Sequence, residues 1–278
     1  MRLAFYTYSY TDRLKMTIEE CHPHIAATGY TSVDVSGTYG PSEDPRSFDE
    51  ALRKATRESS EKDKLRVEAI ITHADLTGSF DNPDRKPLDL IGSTDLAAAV
   101  GGDVVTFHMG GPRKDIAPEE LWKRVVDWLQ KACDDAATRH VRIAVDGIWP
   151  EWINDSPDAL ERLFKDVDRK NMGVNFDPCY LTLMGVDPAE FAHRFHDRIF
   201  HAHLKDHKGA YPKWTHHIPG AGEMDYVKVF KALKEIRFRD AAAVECFTDM
   251  PFALACDDGY AAMQKAAKAA GTEFEPRK

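Results

Sequence analysis

The sequence predicts a (β/α)8 barrel of the TIM type, a single α/β domain spanning residues 1–278. Its 278 residues suit one such barrel. Short apolar stretches alternate with helical stretches at roughly 30–40-residue spacing, as a closed parallel barrel requires. No Gly-x-Gly-x-x-Gly follows the first strand and no phosphate-binding loop is present, so an open doubly wound sheet lacks its usual signature. No linker or break in composition divides the chain.

The elements follow in order. Leu3–Tyr8 reads as the first strand and Thr17–Ala27 as the helix after it. Ser32–Ser36 and Arg66–His73 are strands flanking a helix over Phe48–Glu61. The polar stretch Ser79–Lys86 reads as a solvated connection, with a lid as the alternative. Val104–Met109 is the fourth strand, followed by the Gly110-Gly-Pro turn. Pro118–Arg139 is a helix whose first turn carries proline and two acids, as helix starts prefer. Arg142–Gly147 precedes a helix over Pro157–Arg169, with Ser156 as its N-cap. Gly173–Asp177 and Ile199–Leu204 are the sixth and seventh strands. Tyr226–Ile236 is a helix capped by Asp225, Ala242–Phe247 is the last strand and Gly259–Ala270 the last helix. The strands are rich in Val, Ile, Phe and Ala, as strands covered on both faces should be.

Composition narrows the function. A formal net charge of −9 opposes a duplex nucleic-acid partner, which calls for basic surface. There is no apolar run of about 18 residues to span a membrane. The N-terminal stretch reads as a strand and lacks the features of a signal peptide, so a cytoplasmic location is expected. The 5 cysteines form no CxxC pair and read as reduced packing residues, Cys179 and Cys246 included.

Four predicted strands end on a metal-binding residue type: Asp146, Asp177, His203 and Glu245. Such groups are costly to bury unpaired, so their recurrence in order on consecutive strands points to a shared purpose. Strand alternation puts His201 with His203, Asn175 with Asp177, Thr106 with His108, and Ala69 and Ile71 with His73. If those faces point inward, the mouth of the barrel gathers His73, His108, Asp146, Asp177, His203 and Glu245. The carboxylate and imidazole set suits one divalent ion, Mn²⁺ foremost, with Co²⁺, Mg²⁺ or Zn²⁺ as alternatives. Pro219-Gly-Ala-Gly reads as a tight turn, with a phosphate cradle as the alternative.

The run His203-Leu-Lys-Asp206, followed by His217-Ile-Pro-Gly-Ala-Gly-Glu-Met-Asp225, resembles the xylose isomerase-like barrels of the sugar phosphate isomerase/epimerase group. The resemblance implies Asp146, Asp177, His203 and Glu245 as metal ligands. Two positions depart from it: Asp146 stands where that family usually has Glu, and Tyr180 where it has His. The implied chemistry is proton abstraction beside a metal-bound carbonyl, passing through an enediolate. Glu245 is expected to act as base and Asp146 or a metal-bound water to return the proton, with Lys205 either neutralising developing charge or paired with its neighbour Asp206. Trp149, Trp214, Tyr180 and Phe247 are candidate walls for sugar C–H faces, and His73, His108 and His216 are candidate substrate contacts.

The expected function is a sugar or keto-sugar isomerase or epimerase acting on a small molecule. The runner-up is a metal-dependent dehydratase or β-eliminating lyase on a keto-polyol or oxidised sugar. An abasic-site nuclease of the endonuclease IV type would use His73, His108, Asp177, His203, His216 and Glu245. Tyr180 and Trp214 break its remaining ligand pattern. A sugar-binding barrel without turnover is a further alternative. The resemblance also implies a homo-oligomer.

Overall fold

A computed structural model describes residues 1–37, 49–80, 89–247 and 250–277. Its strands are β1 Arg2–Tyr6, β2 Ser32–Ser36, β3 Arg66–Asp75, β4 Val104–His108, β5 Arg142–Asp146, β6 Met172–Phe176, β7 Ile199–Leu204, β8 Asp206–Ala210, β9 Lys213–His217 and β10 Ala241–Val244. Eight of them close a parallel barrel in the order β1-β10-β7-β6-β5-β4-β3-β2. The first and last strands seal it, with Leu3 opposite Ala242 and Phe5 opposite Val244. The remaining pair, β8 and β9, forms an antiparallel hairpin with Asp206 opposite His217. Nothing in the sequence pattern predicts that hairpin.

Two apolar layers hold the barrel. Outward residues such as Phe5, Val33, Ile70, Phe107, Val145 and Val174 pack under the helices. The inner layer is small, built on Ala4, Ala69, Ala144, Ala241 and Ala243 with Tyr6, Ile71 and Phe200. Alanine on facing strands leaves room above it for polar side chains, and Asp34, Asn175, His201 and His203 are all fully buried.

A bulge adds Phe200 to the β7 residues that face inward. Val174 pairs with Ile199, yet its neighbour Asn175 pairs with His201, so Phe200 is an extra residue. Phe200 plugs the inner layer at the barrel's N-terminal end, beneath the Arg142 guanidinium, 5.0 Å from its ring centroid. Gly173 makes room for it. A Cβ there would lie 2.3 Å from the Arg198 carbonyl and 2.5 Å from the Phe200 ring.

The predicted strands lie in place with ends that shift by one to three residues. β1 stops at Tyr6 and β10 at Val244, leaving Glu245 just beyond the sheet. Asp177 likewise follows β6 and caps a short helix, Pro178–Leu183, accepting from Tyr180 N at 3.0 Å. The last helix begins earlier than expected, at Phe252. The helix expected from Phe48 is seen over Glu50–Lys62, and Phe48 lies outside the described residues. The connection expected over Ser79–Lys86 lies outside them from residue 81 onward. Leu90–Val100 and Pro188–Arg194 are helices not anticipated from the sequence. Among the described residues, no helix is long and apolar enough to cross a membrane.

Candidate active site

The strand ends and the loops after them put Asp146, Asp177, His203, Lys205 and Glu245 together at the C-terminal mouth, all almost fully buried. Their contacts divide the cluster into two sides. On one side, Lys205 Nζ lies 2.7 Å from Asp177 Oδ2 and 2.8 Å from Glu245 Oε2. Glu245 Oε2 also lies 3.2 Å from His203 Nδ1. On the other side, Asp146 Oδ1 accepts from Asn175 Nδ2 at 2.5 Å. Its Oδ2 lies 3.2 Å from His108 Nε2, whose opposite nitrogen is 3.7 Å from Asp75 Oδ1. His203 Nδ1 stands between the two sides, 3.9 Å from Asp146 Oδ1.

Charge pairing sets the protonation states. Burial alone would raise the Glu245 carboxyl, but Lys205 and His203 outweigh it and hold the group at about 2. Asp146 is held well below the usual carboxylate range; burial is opposed there by the bond to His108 and by the charges of His203 and Lys205. Asp177 goes the other way. Burial raises it, and Glu245 and Asp146 add to the rise against the pull of Lys205. Burial would lower Lys205 and His203. The carboxylates reverse both effects, lifting Lys205 well above its usual value and His203 to about 10. His73 and His216 are pushed down to about 4, chiefly by burial.

The four predicted ligands are neighbours without converging on one point, because the Lys205 ammonium stands between Asp177 and Glu245. The three donors that come within 4.8 Å of one another at the mouth are Asp34, His201 and His203. Nevertheless the donor set fits a divalent cation. Neither ring nitrogen of His203 makes a hydrogen bond, and both are buried. Asp177 Oδ2 also lacks one, its approach to Lys205 being an ion pair outside hydrogen-bond geometry. Three carboxylates beside a buried imidazole without hydrogen bonds form a donor set that a hard or borderline cation satisfies once it displaces the ring's Nδ1 proton.

Around this centre stands an aromatic wall. The Trp149 ring centroid lies 4.7 Å from Tyr180 and 6.2 Å from Trp214. His216 bridges Trp214 at 4.2 Å and Phe247 at 5.0 Å. The hairpin carries Trp214 and His216 on alternate positions of β9, hence on one face. Tyr180 also faces the cluster, with Lys205 Nζ 3.9 Å from its ring centroid. His73 is 2.7 Å from the Tyr6 hydroxyl and packs on Tyr8 at 4.2 Å.

Two local alternatives are decided by Asp206. Its carboxylate accepts from four backbone amides, those of His207, Gly220, Gly222 and Met224, at 2.8–3.1 Å. The amides of Gly220 and Gly222 are therefore turned toward Asp206, and Pro219–Gly222 is a tight turn. A Cβ at Gly222 would lie 2.2 Å from Asp206 Oδ1. Lys205 points away from Asp206 and toward the cluster. Cys179 and Cys246 are buried, and burial pushes both thiols up, which fits packing.

Sequence reasoning misses Asp34 and Asp75 and passes over what Asn175 contacts. Asp34 is detectable as the single charged residue in Ser32-Val-Asp-Val-Ser36, with Val33 and Val35 on the opposite face.

Known proteins share this fold. An inosose dehydratase from Geobacillus thermodenitrificans (strain NG80-2) is 22% identical over 255 residues, 84% of each chain. The crystal structure of the IolI protein with a bound zinc atom superposes with a TM-score of 0.77 at 21% identity, covering 99% of this chain and 100% of that one. A D-tagatose 3-epimerase-like protein superposes with a TM-score of 0.77 at 18% identity, covering 98% of both. The family model described as xylose isomerase-like TIM barrel matches residues 23–270. With that match over most of its length, the chain belongs to the xylose isomerase-like TIM barrel family.

Proposed function

We propose that the protein is a divalent-metal-dependent dehydratase, a lyase that removes water from a neutral cyclic keto-polyol. The observation that carries this reading is the unequal setting of the two acid–base carboxylates. Glu245 is tied to two cationic groups, whereas Asp146 is tied to His108, which leads on to the half-exposed Asp75. Elimination needs one group to take a proton from carbon and a different one to protonate a departing hydroxyl. Epimerisation favours two matched groups on opposite faces. The inosose dehydratase relative, aligned over 84% of the chain, supports elimination over the isomerase or epimerase reading. The fold does not separate them, since an epimerase-like protein shares it.

Asp146, Asp177, His203 and Glu245 would hold the ion. When bound, a divalent ion supplies Lewis acidity at a substrate oxygen. The zinc in the IolI structure supports a divalent ion without selecting Mn²⁺ for this chain.

Glu245 is the base in this reading and takes the proton from the carbon next to the carbonyl. The C–H electron pair forms the new C=C bond as the C–O bond at the next carbon breaks. The leaving hydroxide departs as water with a proton delivered through the Asp146–His108 pair, whose Oδ2 and Nε2 lie 3.2 Å apart. Lys205, buried between Asp177 and Glu245, offsets negative charge that grows on the substrate. Trp149, Tyr180 and Trp214 offer faces to the apolar side of the ring and help exclude water. With Lys205 and a divalent ion, the three carboxylates are balanced and leave no excess positive charge to recruit an anion, which suits an uncharged substrate.

The test is product analysis on a neutral keto-cyclitol with metal-loaded and chelated protein. Dehydration gives a product lighter by one water, formed only by the loaded protein. A product of unchanged mass would replace this reading with the epimerase.

A further inference from the structure

Asp34 has no part in the chemistry described so far, yet it is a fully buried carboxylate on β2, across the barrel from β6 and Asp177. Its Oδ2 accepts from His201 Nε2 at 2.7 Å and lies 3.7 Å from His203 Nε2. The opposite nitrogen of His203, Nδ1, faces Glu245 and Asp146. The His203 ring thus has one nitrogen toward the acid–base cluster and the other toward Asp34. Two further contacts fix its plane. It stacks on Tyr6 with centroids 5.6 Å apart and planes 11° apart, and His201 stands edge-on to it at 5.4 Å and 88°. Alternation along β7 brings His201 and His203 to the same inner face.

We propose that Asp34 is a positioning residue for metal binding. Its charge, 3.7 Å from Nε2, favours keeping the proton there when Nδ1 gives up its own proton to the ion, while His201 holds Asp34 in place. A carboxylate behind a metal-binding imidazole fixes its tautomer and raises its basicity, and losing one typically weakens metal binding about 10–100-fold. The proposal rests on the metal reading above, and it predicts which side chain outside the ligand set tunes affinity.

The test measures Mn²⁺ and Co²⁺ affinity by competition with a chromogenic chelator, using wild type, Asp34→Asn and Asp177→Asn. The expected result for Asp34→Asn is binding about 10–100-fold weaker with unchanged stoichiometry and a shifted visible spectrum of the Co²⁺ form. Asp177→Asn should lose the ion altogether. An affinity for Asp34→Asn within twofold of wild type, with the same spectrum, overturns the proposal and leaves the metal reading intact. Complete loss in Asp34→Asn and in His201→Ala, with binding retained in Asp177→Asn, also overturns it. That pattern would place the ion on Asp34, His201 and His203 themselves. No uptake by wild type would overturn the metal reading and this proposal with it. Should Asp34→Asn not fold, ¹⁵N NMR of the wild-type histidines decides between the same outcomes. In the Zn²⁺-loaded protein the His203 signal, identified by its loss in His203→Gln, should report a protonated Nε2 and a metal-bound Nδ1, and the reverse assignment overturns the proposal.

Discussion

Replacing Lys205 by methionine keeps the length of the side chain and removes its charge. In the wild type, Nζ lies 2.7 Å from Asp177 and 2.8 Å from Glu245, and the residue is 1% exposed. At such distances each attraction is about 6 kcal/mol for an effective dielectric near 20. Desolvating the ammonium cancels much of that gain. Removing one partner from a buried set is nonetheless costly, because the carboxylates left behind cannot reach water. A loss of about 3–5 kcal/mol is expected. With a slope of about 3 kcal/mol per molar, that is a fall of roughly 1 M or more in the urea midpoint. The deficit should shrink as the pH falls, since protonated Asp177 and Glu245 no longer need a counter-charge. Added Mn²⁺ should also restore stability, by about 2.7 kcal/mol at 100 times its Kd. Urea unfolding at pH 7 and pH 4, with and without Mn²⁺, measures all three effects. A Lys205→Met midpoint equal to wild type at pH 7 would refute the claim that Lys205 neutralises this cluster.

Three further predictions concern the same site and its support. Glu245→Gln should lower kcat by roughly 10²–10⁴-fold with KM little changed, measured by initial rates; full activity would remove it as base. Stability should follow the two shifted groups in opposite directions. Glu245, held at about 2, stabilises above its ordinary 4.5, and this is lost as the pH falls toward 2. His203, raised to about 10, stabilises fully below 6.5, and this is lost as the pH rises through 10. Urea midpoints taken from pH 3 to pH 10 should therefore fall at both ends, and His203→Gln should flatten the alkaline limb. Gly173→Ala should destabilise by about 1–3 kcal/mol in thermal unfolding, because its Cβ would meet the Arg198 carbonyl and the Phe200 ring.

The barrel is legible in the sequence because strands covered on both faces are largely apolar, and several end where a charged or imidazole group appears. Asp146 and His203 lie at strand ends as the pattern indicates, and Asp177 and Glu245 lie one residue beyond theirs. What stays hidden depends on register or on long-range pairing. The Phe200 bulge arises only when β7 meets β6, so alternation along β7 cannot show that Phe200 and His201 both face inward. Asp34 is far from His201 in sequence, and nothing local marks its contact. Lys205 looks equally ready to pair with its neighbour Asp206. Only the turn at Pro219–Gly222, folding back to give its amides to Asp206, decides the matter. The hairpin carrying Trp214 and His216 is polar and exposed along much of its length, so it lacks the apolar pattern that marks the barrel strands.

The most direct test of the account is metal stoichiometry, measured by inductively coupled plasma mass spectrometry on protein purified without added metal or chelator. The account predicts about one divalent ion per chain in the wild type and none in Asp177→Asn. An equal content in both proteins, or no ion in the wild type even after soaking with Mn²⁺, Co²⁺ or Zn²⁺, would contradict it.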